Sequence, residues 1–222
     1  APLVLLYFYF MFKYPKLGLY SVLILSFFIG AMGRYLPVNL PFGLGVDILL
    51  VVTYVVIIFK YWKGLDMTPS YSDIVLLNVI WMGYVVLEIF NPLAQSFAAW
   101  FYSMRGVALY QVLAFGLSFT LLNSRKDFMR FMNIWLWLSL LGAVWAIKQK
   151  FIGLDPFEQA WLDAGAEETH VLFGKLRHFS YYFDAGTFGA SMGHACIVAG
   201  ILFFGPYSKN RKIVFLVVAL LC

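Results

Sequence analysis

Apolar residues fall along the chain in blocks of about 20, the length that crosses a bilayer as a helix rising about 1.5 Å per residue. Such blocks lie at about 17–36, 43–62, 74–91, 106–122, 128–147 and 186–204, with shorter ones at 3–12 and 213–222. The pattern predicts an all-α, polytopic transmembrane helix bundle of about six whole and two partial spans, forming a single integral membrane domain over 1–222. The first block has no charged leader or small-residue cleavage site, so it does not read as a signal peptide. The last block amounts to half a span. The chain therefore reads as the N-terminal fragment of a larger protein.

The connections between blocks alternate in charge. Lys13, Lys16, Lys60, Lys63, Arg125, Lys126, Arg130, Lys209, Arg211 and Lys212 fall on one side, ten in all. Six fall on the other: Arg34, Arg105, Lys148, Lys150, Lys175 and Arg177. Cytoplasmic loops carry the excess, so the ten are placed inside. This leaves 148–184 as a long external loop rich in acids. Within it Asp155-Pro156-Phe157-Glu158 spells N-cap, N1 proline and N3 glutamate, predicting a short helix. Phe157, Ala160 and Trp161 would share its membrane-facing side, making it interfacial. The aromatic segment 91–105 is expected to form a second external, interfacial element.

Composition agrees with the pattern. The chain is 63% hydrophobic, 20% aromatic and 12% charged, with mean hydropathy +0.83, which excludes an ordinary soluble domain. Its net charge of +5 comes from basic residues spread between apolar blocks. Such scatter signals topology, and no nucleic-acid partner is expected. Cys196 and Cys222 lie in apolar blocks and suggest neither a disulfide framework nor a metal site. No phosphate-binding glycine loop, zinc spacing, nucleophile elbow or dinucleotide fingerprint occurs.

The stretch Arg177 to Gly189 departs from this background, because a basic, polar, aromatic segment runs straight into an apolar helix. With Asp184 as N-cap, Thr187, Ser191 and His194 make a polar stripe. Gly186, Gly189, Ala190, Gly193 and Gly200 make a small-residue stripe beside it, which should admit a neighbouring helix. Arg34, Asp47, Glu88, Arg105, Lys175, Arg177, His178 and Asp184 collect at outer span ends and could form one mixed-charge mouth. The simpler reading of Arg34, Asp47 and Glu88 is snorkelling or hydration. His170 and His178 are external candidates for a general base. His194, Asn78, Gln111 and Asn133 read first as hydrogen-bonding links between helices. A basic, aromatic mouth suits a ligand with an anionic head and a lipid tail, since arginine grips phosphate oxygens with two N–H groups.

At this motif the chain resembles the superfamily of O-antigen ligases and O-antigen polymerases of the bacterial inner membrane. Arg177, Ser180, Phe183, Asp184, Phe188, Gly189 and the following helix Ala190 to Ala195 carry the resemblance. Many members have Asn-Pro-Asn where this chain has Asp184-Ala185-Gly186. The resemblance implies a glycosyltransferase acting at the periplasmic face without metal or other cofactor. Its donor would be an undecaprenyl-pyrophosphate-linked glycan, and its acceptor a lipid A-core or another glycan or lipid, within membrane lipid. It would make 148–184 a periplasmic loop. It assigns donor binding to Arg177, and the substrate-binding set expected here is Arg177, Arg105, His178, Ser180 and Asp184. The ligases' proposed base, a histidine in a later periplasmic loop, has no counterpart before residue 222, so the fragment alone is expected to be inactive. Ligase and polymerase both fit. From another class, a lipid or glycan transporter would use the polar stripe as a path, but no paired halves occur. A purely structural subunit would leave the Arg177 to Gly189 segment unexplained.

Overall fold

The computed structural model describes residues 2–36, 42–61, 72–93 and 96–222. Lys63 of the basic count, residue 62 and residues 94 and 95 lie outside them. Among the described residues the fold is helical apart from one small hairpin. Six helices are long and apolar enough to cross a membrane: Lys16–Tyr35, Phe42–Tyr61, Asp73–Phe90, Phe97–Leu121, Arg125–Phe151 and Ala185–Phe203. Two shorter helices, α1 (Pro2–Lys13) and α11 (Lys209–Leu221), match the partial blocks.

Helix ends follow local chemistry. Pro15 has no N–H to extend α1, so the chain breaks there before α2 (Lys16–Tyr35). The Ser72 side chain accepts from the Val75 N–H to start α4 (Asp73–Leu87), and Ser96 does the same with Ala99 for α5 (Phe97–Met104). One expectation changes here. The described part of the 91–105 segment does not end as a separate element, because α5 runs through a wide π turn (Arg105–Leu109) directly into α6 (Tyr110–Leu121). Only Gly106 and Gly116 interrupt that stretch, and no proline stops it, so an aromatic-rich sequence continues as helix. Arg105 thus lies inside a 25-residue helix.

The helices divide into two compact units, residues 1–22 with 47–129 and residues 23–46 with 130–222. In the first, α2 and α3 (Phe42–Tyr61) approach closely, since a Cβ at Gly18 would collide with the Thr53 side chain. Lys60 donates to the Lys13 carbonyl, and Lys16 pairs with Asp127 at 2.6 Å. Three of the basic connections are therefore joined at one end of this unit, as alternate topology requires. Arg105 pairs with Asp47 at 2.5 Å and hydrogen-bonds Tyr110 at 2.9 Å.

In the second unit, α7 (Arg125–Phe151), α10 (Ala185–Phe203) and α11 close around Leu136, Ala195, Ala199, Phe215 and Val218. Close packing occurs at other glycines than the stripe predicted. A Cβ at Gly30 would lie 2.6 Å from the Tyr181 carbonyl oxygen, and one at Gly142 would lie 3.0 Å from the Tyr181 hydroxyl. Around Gly189, Gly193 and Gly200 there is open space. The face of α10 that packs is built from Ala185, Met192, Ala195 and Ala199 instead.

Candidate functional site

The long connection between α7 and α10 folds onto the ends of α2 and α7 in the second unit. Its first element is α8 (Pro156–Trp161), closed by a capping box: Asp155 accepts from the Phe157 and Glu158 N–H groups, and Glu158 accepts from the Asp155 N–H at 3.0 Å. A π turn (Leu162–Ala166) and α9 (Glu167–His170) follow, then a hairpin pairing Val171 with Leu176 and Leu172 with Lys175. Phe173 and Gly174 form its two-residue turn with φ of 54° and 71°, the signs a type I′ turn needs. Phe173 is fully exposed at the tip.

Beneath this loop lies a buried polar hub. Gln149, near the end of α7, accepts from the N–H groups of Phe179 and Ser180 at 3.2 and 2.9 Å. Its Nε2 donates to Glu158 at 2.7 Å and to the Ser180 carbonyl at 3.3 Å. Glu158 is 0% exposed and also accepts from the Trp145 indole at 2.8 Å and from Lys148 at 2.9 Å. A buried carboxylate with these donors is compensated. Asp155 accepts from Lys148 at 3.2 Å and from the Tyr35 hydroxyl. Burial works against the Asp155 carboxylate, but Tyr35, the Glu158 N–H and Lys148 outweigh it and hold the group at about 2. The same balance, with Lys148 the main donor, holds Glu158 below the usual carboxylate range.

Arg34 completes the hub. It is 7% exposed, donates to the Ser180 carbonyl at 2.9 Å and to the Gly30 carbonyl at 3.2 Å, and lies over the Phe179 and Trp161 rings at 4.8 and 5.1 Å. Snorkelling does not describe it. Trp161 likewise turns inward against Phe179 and His170, both with ring centroids 5.0 Å away, so it does not share a membrane-facing side with the exposed Phe157.

The expected substrate-binding residues differ in burial and in what engages them. Ser180 is 0% exposed with φ of 52°, and its N–H, carbonyl and hydroxyl are all engaged, the hydroxyl donating to the Gly142 carbonyl at 2.8 Å. A left-handed non-glycine residue costs about 1–3 kcal/mol, and these bonds hold it. Ser180 therefore pins the loop and leaves no group for a ligand. Arg105 belongs to the first unit and is committed to Asp47 and Tyr110. His170 is buried, with Nδ1 at 3.0 Å from the Ala166 carbonyl and 2.9 Å from the Thr169 hydroxyl, and its Nε2 has no hydrogen-bond partner among the described residues. It is not a solvent-facing base. His178 is half-buried, and burial together with Lys150 pushes its pKa down, favouring the neutral ring.

Arg177 and Asp184 remain at the surface. The Arg177 N–H closes the hairpin on the His170 carbonyl at 2.8 Å, while its side chain makes no ion pair among the described residues. Asp184 caps α10 by accepting from the Thr187 N–H at 2.6 Å and its hydroxyl at 3.0 Å. The Thr187 N–H chiefly lowers the Asp184 pKa, with Arg177 a smaller influence. The helix N-terminus is thus occupied by the chain's own carboxylate, with the Arg177 guanidinium near it. The polar stripe also divides: Ser191 bonds the Tyr182 hydroxyl at 2.8 Å, whereas His194 is exposed and bonds the Ala190 carbonyl of its own helix at 2.7 Å.

Gln149 and Tyr35 are the site-building residues that the sequence pattern did not single out, and Glu158 was read there only as a helix-capping residue. Its place three residues after Asp155 in the capping box was the one signal pointing toward it. Comparison with protein-family models, curated proteins and solved structures found no match.

Proposed function

We propose that the chain carries the donor-binding part of a periplasmic-face glycosyltransferase of the bacterial inner membrane, moving a glycan from undecaprenyl pyrophosphate to a lipid A-core or other acceptor. O-antigen ligase is the first form of this reading and O-antigen polymerase the alternative. The observation that carries it is an exposed arginine, Arg177, which makes no direct ion pair among the described residues and is presented by a loop locked from beneath. Pyrophosphate is a good leaving group, so the transferase needs mainly to neutralise its growing charge and to deprotonate the acceptor hydroxyl. Arg177 suits the first task through its planar fork.

A second reading, a non-catalytic membrane subunit, has its own support. Phe179, Ser180 and Tyr181, which make the segment conspicuous, are all buried in packing the loop onto α7. Transfer from a lipid-linked glycan to acceptor, assayed in membranes that contain the full-length protein or lack it, separates the two. Transfer that depends on the protein supports the enzyme, and equal transfer without it leaves the structural subunit.

A further inference from the structure

The hairpin in the connection between α7 and α10 has two unlike faces. Val171 pairs with Leu176 and Leu172 with Lys175, and directly opposed residues of a hairpin share a face. Val171 and Leu176 pack onto the loop's own core of Leu162, Phe179 and Ala185. Leu172 and Lys175 are exposed on the other face, and Arg177 continues the alternation of exposed residues along the second strand. The outward side therefore carries an apolar pair, Leu172 and Phe173, beside two cations.

Phe173 is the outlier of the hairpin. Its φ of 54° puts a bulky side chain in the left-handed region, where an asparagine or aspartate before Gly174 would be favoured. The ring is fully exposed at the tip. A polar residue would suit both the turn and water, so what a phenylalanine contributes here lies outside the chain. The bilayer is the occupant within reach. The connection begins where α7 ends at Phe151 and finishes where α10 begins at Ala185, and both helices are long and apolar enough to span. Between these ends Ile152, Phe157 and Phe183 are exposed as well. Aromatic and aliphatic side chains gather where headgroups meet acyl chains, and lysine and arginine beside them pair with lipid phosphates. The outward side of the hairpin has that composition, its positive charge complementary to anionic headgroups.

We propose that the hairpin lies on the bilayer surface, with Phe173 and Leu172 inserted at the boundary of headgroups and acyl chains and Lys175 and Arg177 at the lipid phosphates. The contact holds Arg177 at the depth of phosphate groups, and it stands whether or not the chain transfers glycan.

The test is the accessibility of a nitroxide spin label to oxygen, which concentrates in the bilayer, and to a water-soluble nickel chelate. The full-length protein, with its native cysteines replaced, is reconstituted in liposomes of phosphatidylethanolamine and phosphatidylglycerol. It is labelled at Leu172→Cys or, as the water-facing reference on α9, at Glu168→Cys, both positions being exposed on the protein. The label at 172 should be relaxed more by oxygen than by the chelate, and the label at 168 more by the chelate. Adding Phe173→Ser should shift the label at 172 toward the chelate, and a label placed at Phe173→Cys in the parent should read as lipid-facing. A label at 172 as open to the chelate as the one at 168 would put the hairpin in water and overturn the proposal. Protection from both reagents would mean that protein covers the tip and would overturn it too, as would a label at 172 that Phe173→Ser leaves unmoved.

Discussion

Gln149 holds the backbone of Ser180 from both sides, accepting from its N–H at 2.9 Å and donating to its carbonyl at 3.3 Å across 31 residues of sequence. The side chain replaces a strand partner for a loop that has none. With Arg34 on the same carbonyl, it fixes the left-handed turn from which Arg177 is presented.

Gln149→Leu should therefore destabilise the second unit. It leaves the Phe179 and Ser180 N–H groups buried without an acceptor, at about 1–3 kcal/mol each. Gln149→Glu should be at least as harmful, because its carboxylate would face Glu158. Thermal unfolding in detergent measures both, and a Gln149→Leu protein as stable as the parent would contradict the hub.

Glycine substitutions should sort by contact. Gly30→Val and Gly142→Val place side-chain atoms against Tyr181 and should cost about 1–3 kcal/mol or more. Gly193→Leu, facing open space, should leave the melting temperature of this chain nearly unchanged. The same unfolding assay decides, and equal losses at all three positions would contradict the packing described.

Stability should fall with acidification through Asp155 and Glu158. Their folded pKa values lie below the ordinary values of 3.8 and 4.5, with Asp155 at about 2. The unfolded chain binds more protons in this range, so stability rises with pH. The contribution is complete above pH of about 5 and is lost as pH falls toward 2. Glu158→Gln should flatten this dependence while lowering stability at neutral pH, since Lys148 is then left with Asp155 as its one carboxylate partner. Unfolding followed from pH 7 to pH 3 reads both effects.

Orientation is checked by cysteine labelling with an impermeant reagent in spheroplasts. Arg125→Cys and Lys209→Cys should stay unlabelled and Glu168→Cys should react, all three positions being exposed on the protein. Labelling at 209 with none at 168 would reverse the assignment of the periplasmic face.

The spans were legible because about 20 apolar residues in a row have few other uses, and the start of α8 because a capping box is local in sequence. The hub was not. Gln149 sits between Lys148 and Lys150, where it resembles any polar helix end, and its partners lie 9 to 31 residues away. Arg34 stands at a span end, which suggests snorkelling until the loop folds over it. The stripe of Gly189 and Gly193 marks one face of α10, but periodicity cannot say what covers a face. Ser180 matched a motif by residue type, while its buried left-handed turn depends on contacts made across 38 residues with Gly142.

The central claim rests on Arg177, whose exposed side chain makes no hydrogen bond or ion pair with the residues of the buried hub. The decisive measurement is glycan transfer from undecaprenyl-pyrophosphate donor to acceptor in membranes, with protein abundance matched by blotting. Arg177→Ala should reduce transfer strongly, by a factor of at least about ten, and Arg177→Lys should restore only part of it because the ammonium lacks the planar fork. Transfer at the parental rate by Arg177→Ala at equal abundance would contradict the account.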